Sequence, residues 1–211
     1  MNWVALASPC HLHASALTHL LIMTSFTHQM MGAFLAKGDA LVPADVSRVF
    51  ASLDECDVVV STVGATPADP RADSEGNMAL IDAAAKKGVK KFVLVTSIGC
   101  GSSSRAPPPQ VYDVLRPVLL EKDKAEAHLM KVSQATGMAA VIVRPGGLKT
   151  APATGTAVLT EDTTVCGAIH RADVASLVVA ATLSDKANGK ILSAVDRAQL
   201  FNAPNLVVFA T

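Results

Sequence analysis

The first 36 residues contain no Lys, Arg, Asp or Glu, yet they hold four of the six histidines and four of the seven methionines. Without a cationic flank this stretch lacks the leader of a secretory signal, and without arginine it lacks the mark of an organellar transit peptide. His11, His13, His19, His28, Gln29 and many hydroxyl residues interrupt it, which argues against a membrane span. Aromatic residues make up only 4% of the chain, with one tryptophan and one tyrosine. The four cysteines, Cys10, Cys56, Cys100 and Cys166, are scattered, with no Cys-x-x-Cys or Cys/His group of zinc spacing. No metal site is expected, and a reducing compartment is. The formal net charge is zero. This leaves no basic footprint for nucleic acid and no polybasic membrane signal.

The chain does have aliphatic bulk. Half of its 211 residues are hydrophobic and 17% are charged, a composition that suits one domain of helices stacked on a parallel sheet. Phe92 to Val95 is an unbroken run of β-formers followed at once by Thr96, Ser97 and Gly99. Ligands in open α/β sheets sit outside the carboxyl ends of the strands, so Ser97 falls where a site belongs. Asp57 to Gly64 is a second such strand, ending in Ser61, Thr62 and Gly64, and the two endings form a polar ledge. Ala33 to Ala36 closes a possible short strand before the Lys37-Gly38-Asp39 turn.

The spacing predicts helices over Pro43–Leu53, Asn77–Lys87, Leu120–Thr136 and Asp173–Leu183, with Gly88 and Gly137 as terminators. Further strands are expected at Ala139–Val143 and Lys190–Val195. Gly99 to Pro117, with its triple proline, reads as an irregular segment and a candidate lid. Lys149 to Gly167 reads as an irregular excursion. The organisation expected is an uncharged segment over 1–36, an α/β domain over 37–201 and an apolar tail over 202–211. Cys100 is read as a small filler rather than a reactive thiol, Arg144 as the partner of a carboxylate, and Asp173 as a helix-start residue. His128 and His170 are read as surface residues.

Asp57-Val-Val-Val-Ser-Thr-Val-Gly64, Asn77-x-x-Leu80-Ile81-Asp82-Ala83-Ala84, Phe92-Val-Leu-Val-Thr-Ser-Ile-Gly99, Lys124-Ala-Glu126 and Val143-Arg-Pro-Gly-Gly-Leu148 follow one another in an order that resembles the atypical short-chain dehydrogenase/reductases of the NmrA-like kind. The likeness is to plant and algal NAD(P)-binding members often found in plastids. It implies an α/β, doubly wound, mostly parallel Rossmann-type sheet. It also implies NADP or NAD as cofactor, NADP slightly ahead, a small-molecule substrate it does not identify, and a plastid location, the alternative being the cytoplasm. The resemblance gives Gly38 and Asp39 to the adenine and Ser61, Thr62, Val63 and Gly64 to the adenosine and ribose. It gives Thr96 and Ser97 to the fifth-strand end, Lys124 to the nicotinamide ribose, and Pro145, Gly146 and Gly147 to the backbone beside the nicotinamide. Ser97 and Lys124 are the catalytic candidates, since a hydroxyl can donate to a carbonyl oxygen while the cofactor carries the hydride. From the residues alone, Thr96 and Ser97 could equally cap the following segment, and Lys124 could be a solvated helix lysine.

Two departures stand out. No Gly-x-x-Gly-x-x-Gly precedes Lys37, so the N-terminal βαβ is incomplete or remodelled and the pyrophosphate contacts lack their usual source. The short-chain dehydrogenase tyrosine, four residues before the lysine, is replaced by Leu120, and the only tyrosine is Tyr112. The expected function is therefore an NAD(P)-binding oxidoreductase. The alternatives are a non-catalytic nucleotide-sensing or scaffold protein, or a truncated form without cofactor binding.

Overall fold

A computed structural model of the chain describes residues 36–65, 69–202 and 206–211. The uncharged segment up to residue 35, and with it most of the short strand expected at Ala33–Ala36, lies outside the described residues.

Helix α1 (Pro43–Ala51) starts on a proline whose fixed φ suits the first turn, and it buries Val46, Val49 and Phe50. Strand β1 (Val58–Ser61) ends earlier than the apolar run suggested, leaving Thr62 to Gly64 as the open ledge. A wide π-type turn (Ala72–Gly76) runs directly into α2 (Asn77–Lys87), which stops where Gly88 takes φ +81°. Strand β2 (Lys91–Val95) follows.

Helix α3 spans Pro109–Thr136 and ends on Gly137 at φ +78°. It begins eleven residues before the expected Leu120. The prolines that suggested a broken segment instead start the helix: Pro109 sits at its first position, where a missing N–H costs nothing, and Pro117 is accommodated inside it. Before it, Gly99 to Ala106 closes into a tight turn rather than hanging as a loose lid.

Strand β3 (Ala139–Pro145) passes through Gly146 into β4 (Gly147–Lys149). The segment Lys149–Gly167, expected to be irregular, contains strand β5 (Ala157–Thr160), and β6 (Ala168–His170) follows directly after it. Helix α4 (Arg171–Leu183) and β7 (Ile191–Asp196) complete the fold.

The main sheet has the order β1-β2-β3-β7-β5, parallel except for β5 against β7, and β4 pairs with β6 in a small second sheet. Strands β2 and β3 read as continuous apolar runs because both sheet faces are covered. On one face Phe92, Leu94 and Ile142 pack with Phe50 of α1, Leu80 and Ile81 of α2, and Ala125 and Leu129 of α3. On the other, Val93, Val141 and Val143 meet Val174, Val178 and Ala181 of α4. The result is a three-layer α/β Rossmann-like architecture, with the carboxyl ends of β1, β2 and β3 aligned on one rim. Residues 206–211 carry no regular element, but Phe209 N–H donates to Leu159 O at 2.7 Å beside β5. Among the described residues no helix is long and apolar enough to cross a membrane.

Candidate functional site

The rim is built by backbone pairing that continues past the ends of the strands. Thr96 N–H donates to Val143 O and Ile98 N–H to Pro145 O, both at 2.9 Å. Ser97 is thereby held level with the end of β3, beside Pro145, Gly146 and Gly147. Its hydroxyl, half-buried, donates to Ile98 O at 2.9 Å, a local bond that rotation about χ1 would release. Gly146 marks the switch from one sheet to the other, and a Cβ there would lie 2.3 Å from Gly167 O. Only glycine allows this approach.

Beneath Ser97 lies a buried polar cluster. Glu126 of α3 accepts Arg144 Nε at 3.1 Å and Nη2 at 2.6 Å, and it also accepts the Thr96 hydroxyl at 2.6 Å. The carboxylate expected for Arg144 is thus Glu126. The other side of the guanidinium holds the turn after Ser97, with Nη1 donating to Ser102 Oγ at 2.9 Å. Gly101 N–H in that turn donates to Asp123 Oδ1 at 2.7 Å. The turn is therefore pinned from β3 and α3 together, and Thr96 serves the scaffold through its side chain. Cys100 is fully buried in the same turn; burial, followed by the nearby Glu126 and Asp123, pushes its thiol far above the usual range. It acts as a filler and not as a nucleophile.

The end of β1 has its own anchor. Ser61 Oγ donates to Asn77 Oδ1 at 2.6 Å, and Asn77 Nδ2 donates to Val63 O, Ala72 O and Asp73 O at 3.2, 3.3 and 3.2 Å. The π-type turn is so tied to the ledge, leaving Thr62 exposed and Gly64 half-buried. Gly38 and Asp39 border a shallow depression shared with Val46, Val49 and Leu80. The Asp39 carboxylate accepts Leu41 N–H at 2.9 Å, and its own N–H donates to Asp45 Oδ2 at 3.0 Å.

The lysines separate sharply. Lys124 faces outward, with 58% of its side chain exposed, and its Nζ meets Glu121 at 2.6 Å. Lys122 lies two residues earlier on α3, one turn before Glu126, and its Nζ forms an ion pair with Asp73 of the π-type turn. Its side chain is 16% exposed and that of Asp73 is 1% exposed. The structure therefore brings together Ser61, Thr62, Val63, Gly64, Thr96, Ser97, Pro145, Gly146 and Gly147 along one rim; from α3, Lys122 pairs with Asp73 beside Gly64, and Lys124 pairs with Glu121. Helical spacing from Glu126 carried the signal for Lys122; nothing local marked Asp73.

His128 pairs with Asp82 at 2.6 Å on the outer side of α2 and α3. Asp173 lies in the first turn of α4, as expected of a helix-start residue, while its carboxylate accepts the Thr154 and Gly155 N–H groups at 2.9 and 3.1 Å and so ties the preceding loop to the helix. No group of three metal-ligating side chains occurs among the described residues.

The donor chemistry of the rim fits the ribose and nicotinamide of a dinucleotide. It offers an ammonium with two donors beyond its bond to Asp73, a serine hydroxyl, and chain narrowed by Gly64, Gly146 and Gly147. Any counterpart for the pyrophosphate preceding Ala36 lies outside the described residues. A family profile described as NAD(P)H-binding matches residues 23–185. An uncharacterized chloroplastic protein of Arabidopsis thaliana is 37% identical over 134 residues, 61% of this chain and 46% of that protein. The uncharacterized sugar epimerase YhfK of Bacillus subtilis is 31% identical over 138 residues, 63% of this chain and 60% of that one. The chain thus spans about half the length of the curated relatives it matches. The anaerobilin reductase ChuY of Escherichia coli O157:H7 superposes with a TM-score of 0.70 at 27% identity, covering 82% of this chain and 80% of its own.

Proposed function

This chain belongs to the NAD(P)H-binding family, and from that premise we propose that it is an oxidoreductase of the atypical short-chain dehydrogenase/reductase, NmrA-like kind. In this reading the dinucleotide lies along the carboxyl ends of β1, β2 and β3. Gly38 and Asp39 border the adenine, and Ser61 to Gly64 follow the adenosine and its ribose. Pro145, Gly146 and Gly147 back the nicotinamide. When bound, the nicotinamide supplies or accepts the hydride. Ser97 donates its hydroxyl proton in a hydrogen bond to the substrate carbonyl oxygen, polarising it. Lys122 takes the ribose-holding role that the family resemblance gives to Lys124; supporting this, its ammonium is paired with buried Asp73 beside Gly64, whereas Lys124 is exposed and paired with Glu121.

The observation that carries this reading is the Ile98-to-Pro145 backbone bond, which sets Ser97 beside the glycines after β3. NADPH is the first cofactor to test and NADH the second. The chloroplastic relative supports a plastid setting. The experiment is an equilibrium titration of Lys122→Gln and Lys124→Gln variants with NADPH, followed by a carbonyl-substrate screen beginning with anaerobilin. Weakened binding in Lys122→Gln alone supports the assignment; equal affinity in both variants contradicts it.

A second reading, nucleotide binding without turnover, draws on the residues one helical turn before each lysine. These are Val118 and Leu120, both exposed and apolar, so neither lysine has a phenol beside it. Saturable binding with no turnover across the screen would select this reading.

A further inference from the structure

We propose that Asp73 is a positioning residue for Lys122: it holds the lysine ammonium at the end of β1 so that the remaining two donors face the nucleotide ribose. This rests on the reading given above. Asp73 is buried, at 1% exposure, and burying a carboxylate is costly unless it is paired and hydrogen-bonded. Among the contacts of the carboxylate, Lys122 supplies the cation.

The geometry around the pair points toward the rim. A Cβ placed on Gly64 would lie 3.7 Å from Asp73 Oδ1, so the carboxylate faces the strand end. The turn that carries Asp73 is fixed by the Asn77 amide, which binds Ala72 O, Asp73 O and Val63 O at once. Wide turns of this π type recur at functional sites because they push a residue out of helical register. Here the register places a carboxylate against a lysine one turn before Glu126, whose own carboxylate holds the Thr96 hydroxyl beside Ser97. An ammonium carries three donors and no fixed plane, so one short bond to a rigid acceptor aims the other two.

A buried ion pair can also be mere packing, and such pairs are weak evidence for stability. A double-mutant cycle on NADPH affinity separates the two roles. The wild-type chain, Asp73→Asn, Lys122→Gln and the double variant would be titrated at equilibrium, with thermal melts to confirm folding. Glutamine at 122 keeps a hydrogen-bond donor for Asp73, which guards against an orphaned carboxylate.

The expected result is a Kd raised about tenfold by Asp73→Asn, the scale of one hydrogen bond to a charged group, with no further rise when Asp73→Asn is added to Lys122→Gln. An unchanged Kd in Asp73→Asn overturns the positioning role while leaving the Lys122 reading intact. The same fold-weakening in both backgrounds overturns it too, because Asp73 would then act on the fold and not through the lysine. Wild-type affinity in Lys122→Gln overturns the reading and this inference together.

Discussion

Arg144 and Glu126 form a two-pronged ion pair under the rim, with guanidinium Nη2 2.6 Å from Oε2 and Nε 3.1 Å from Oε1. Arg144 is 2% exposed and Glu126 is 6% exposed. Through them β3, α3, the Thr96 hydroxyl and the turn after Ser97 share one carboxylate. Three donors converge on that carboxylate, the Thr96 hydroxyl and two guanidinium N–H groups, so the members of the cluster depend on one another.

Removing one member should therefore cost more than removing both. Glu126→Ala leaves a buried, unpaired guanidinium and is expected to destabilise the fold by about 3–5 kcal/mol in urea unfolding. The paired change Glu126→Leu with Arg144→Met is expected to recover much of that loss. A double variant no more stable than the single one would contradict this account of the cluster.

The glycines after β3 are expected to differ in tolerance. Alanine at 146 would place its Cβ 2.3 Å from Gly167 O, whereas at 147 the same oxygen lies 3.8 Å away. Gly146→Ala should lower stability by about 3 kcal/mol, since neither backbone can yield cheaply. Gly147→Ala should leave the melting temperature nearly unchanged. Calorimetry on the two variants checks the contrast.

Stability should fall in acid through Asp196. Burial by itself would raise its pKa, but hydrogen bonds from Thr156, Ala198 N–H, Gln199 and Thr154 outweigh it and hold the carboxyl below the usual range. A depressed carboxylate stabilises the fold above its unfolded pKa, about 3.9, and that contribution is lost as the pH drops toward the folded value. Asp196→Asn is expected to lose about 1–3 kcal/mol at neutral pH, with a flatter stability profile below pH ~4. A variant that tracks wild type across the acid range would contradict this role.

Ser97→Ala should separate chemistry from binding. Loss of the hydroxyl is expected to slow carbonyl reduction about a hundredfold, at the scale of a positioned proton donor, and to leave the NADPH Kd within experimental scatter. Steady-state kinetics paired with a binding titration would show this. Equal turnover would remove Ser97 from the mechanism.

The sheet was legible in the chain because β2 and β3 are covered on both faces and so read as continuous apolar runs ending in Ser97 and Pro145. Helices α2 and α3 announced their ends through Gly88 and Gly137. The start of α3 was hidden because its prolines look like breakers when read one at a time; the stripe of Val111, Val114, Leu115 and Val118, at helical spacing, was the contrary signal. Strand β5 was hidden in a stretch of Thr, Ala and Gly, since its pairing with β7 is antiparallel and distant in sequence. Lys122 was not legible on its own as a candidate because the face that α3 turns to the sheet is fixed by Glu126 through Thr96 and Arg144, contacts that form only when β2, β3 and α3 have come together. Asp73 depends on the π-type turn, and that register shift leaves no local pattern.

The most direct measurement is a fluorescence titration of the purified 211-residue chain with NADPH, following the nicotinamide emission at equilibrium, with circular dichroism to establish that the chain is folded. The account predicts saturable binding with a micromolar Kd, on the order of −8 kcal/mol, weakened by Lys122→Gln and not by Lys124→Gln. A folded chain that shows no saturable change in emission would contradict it.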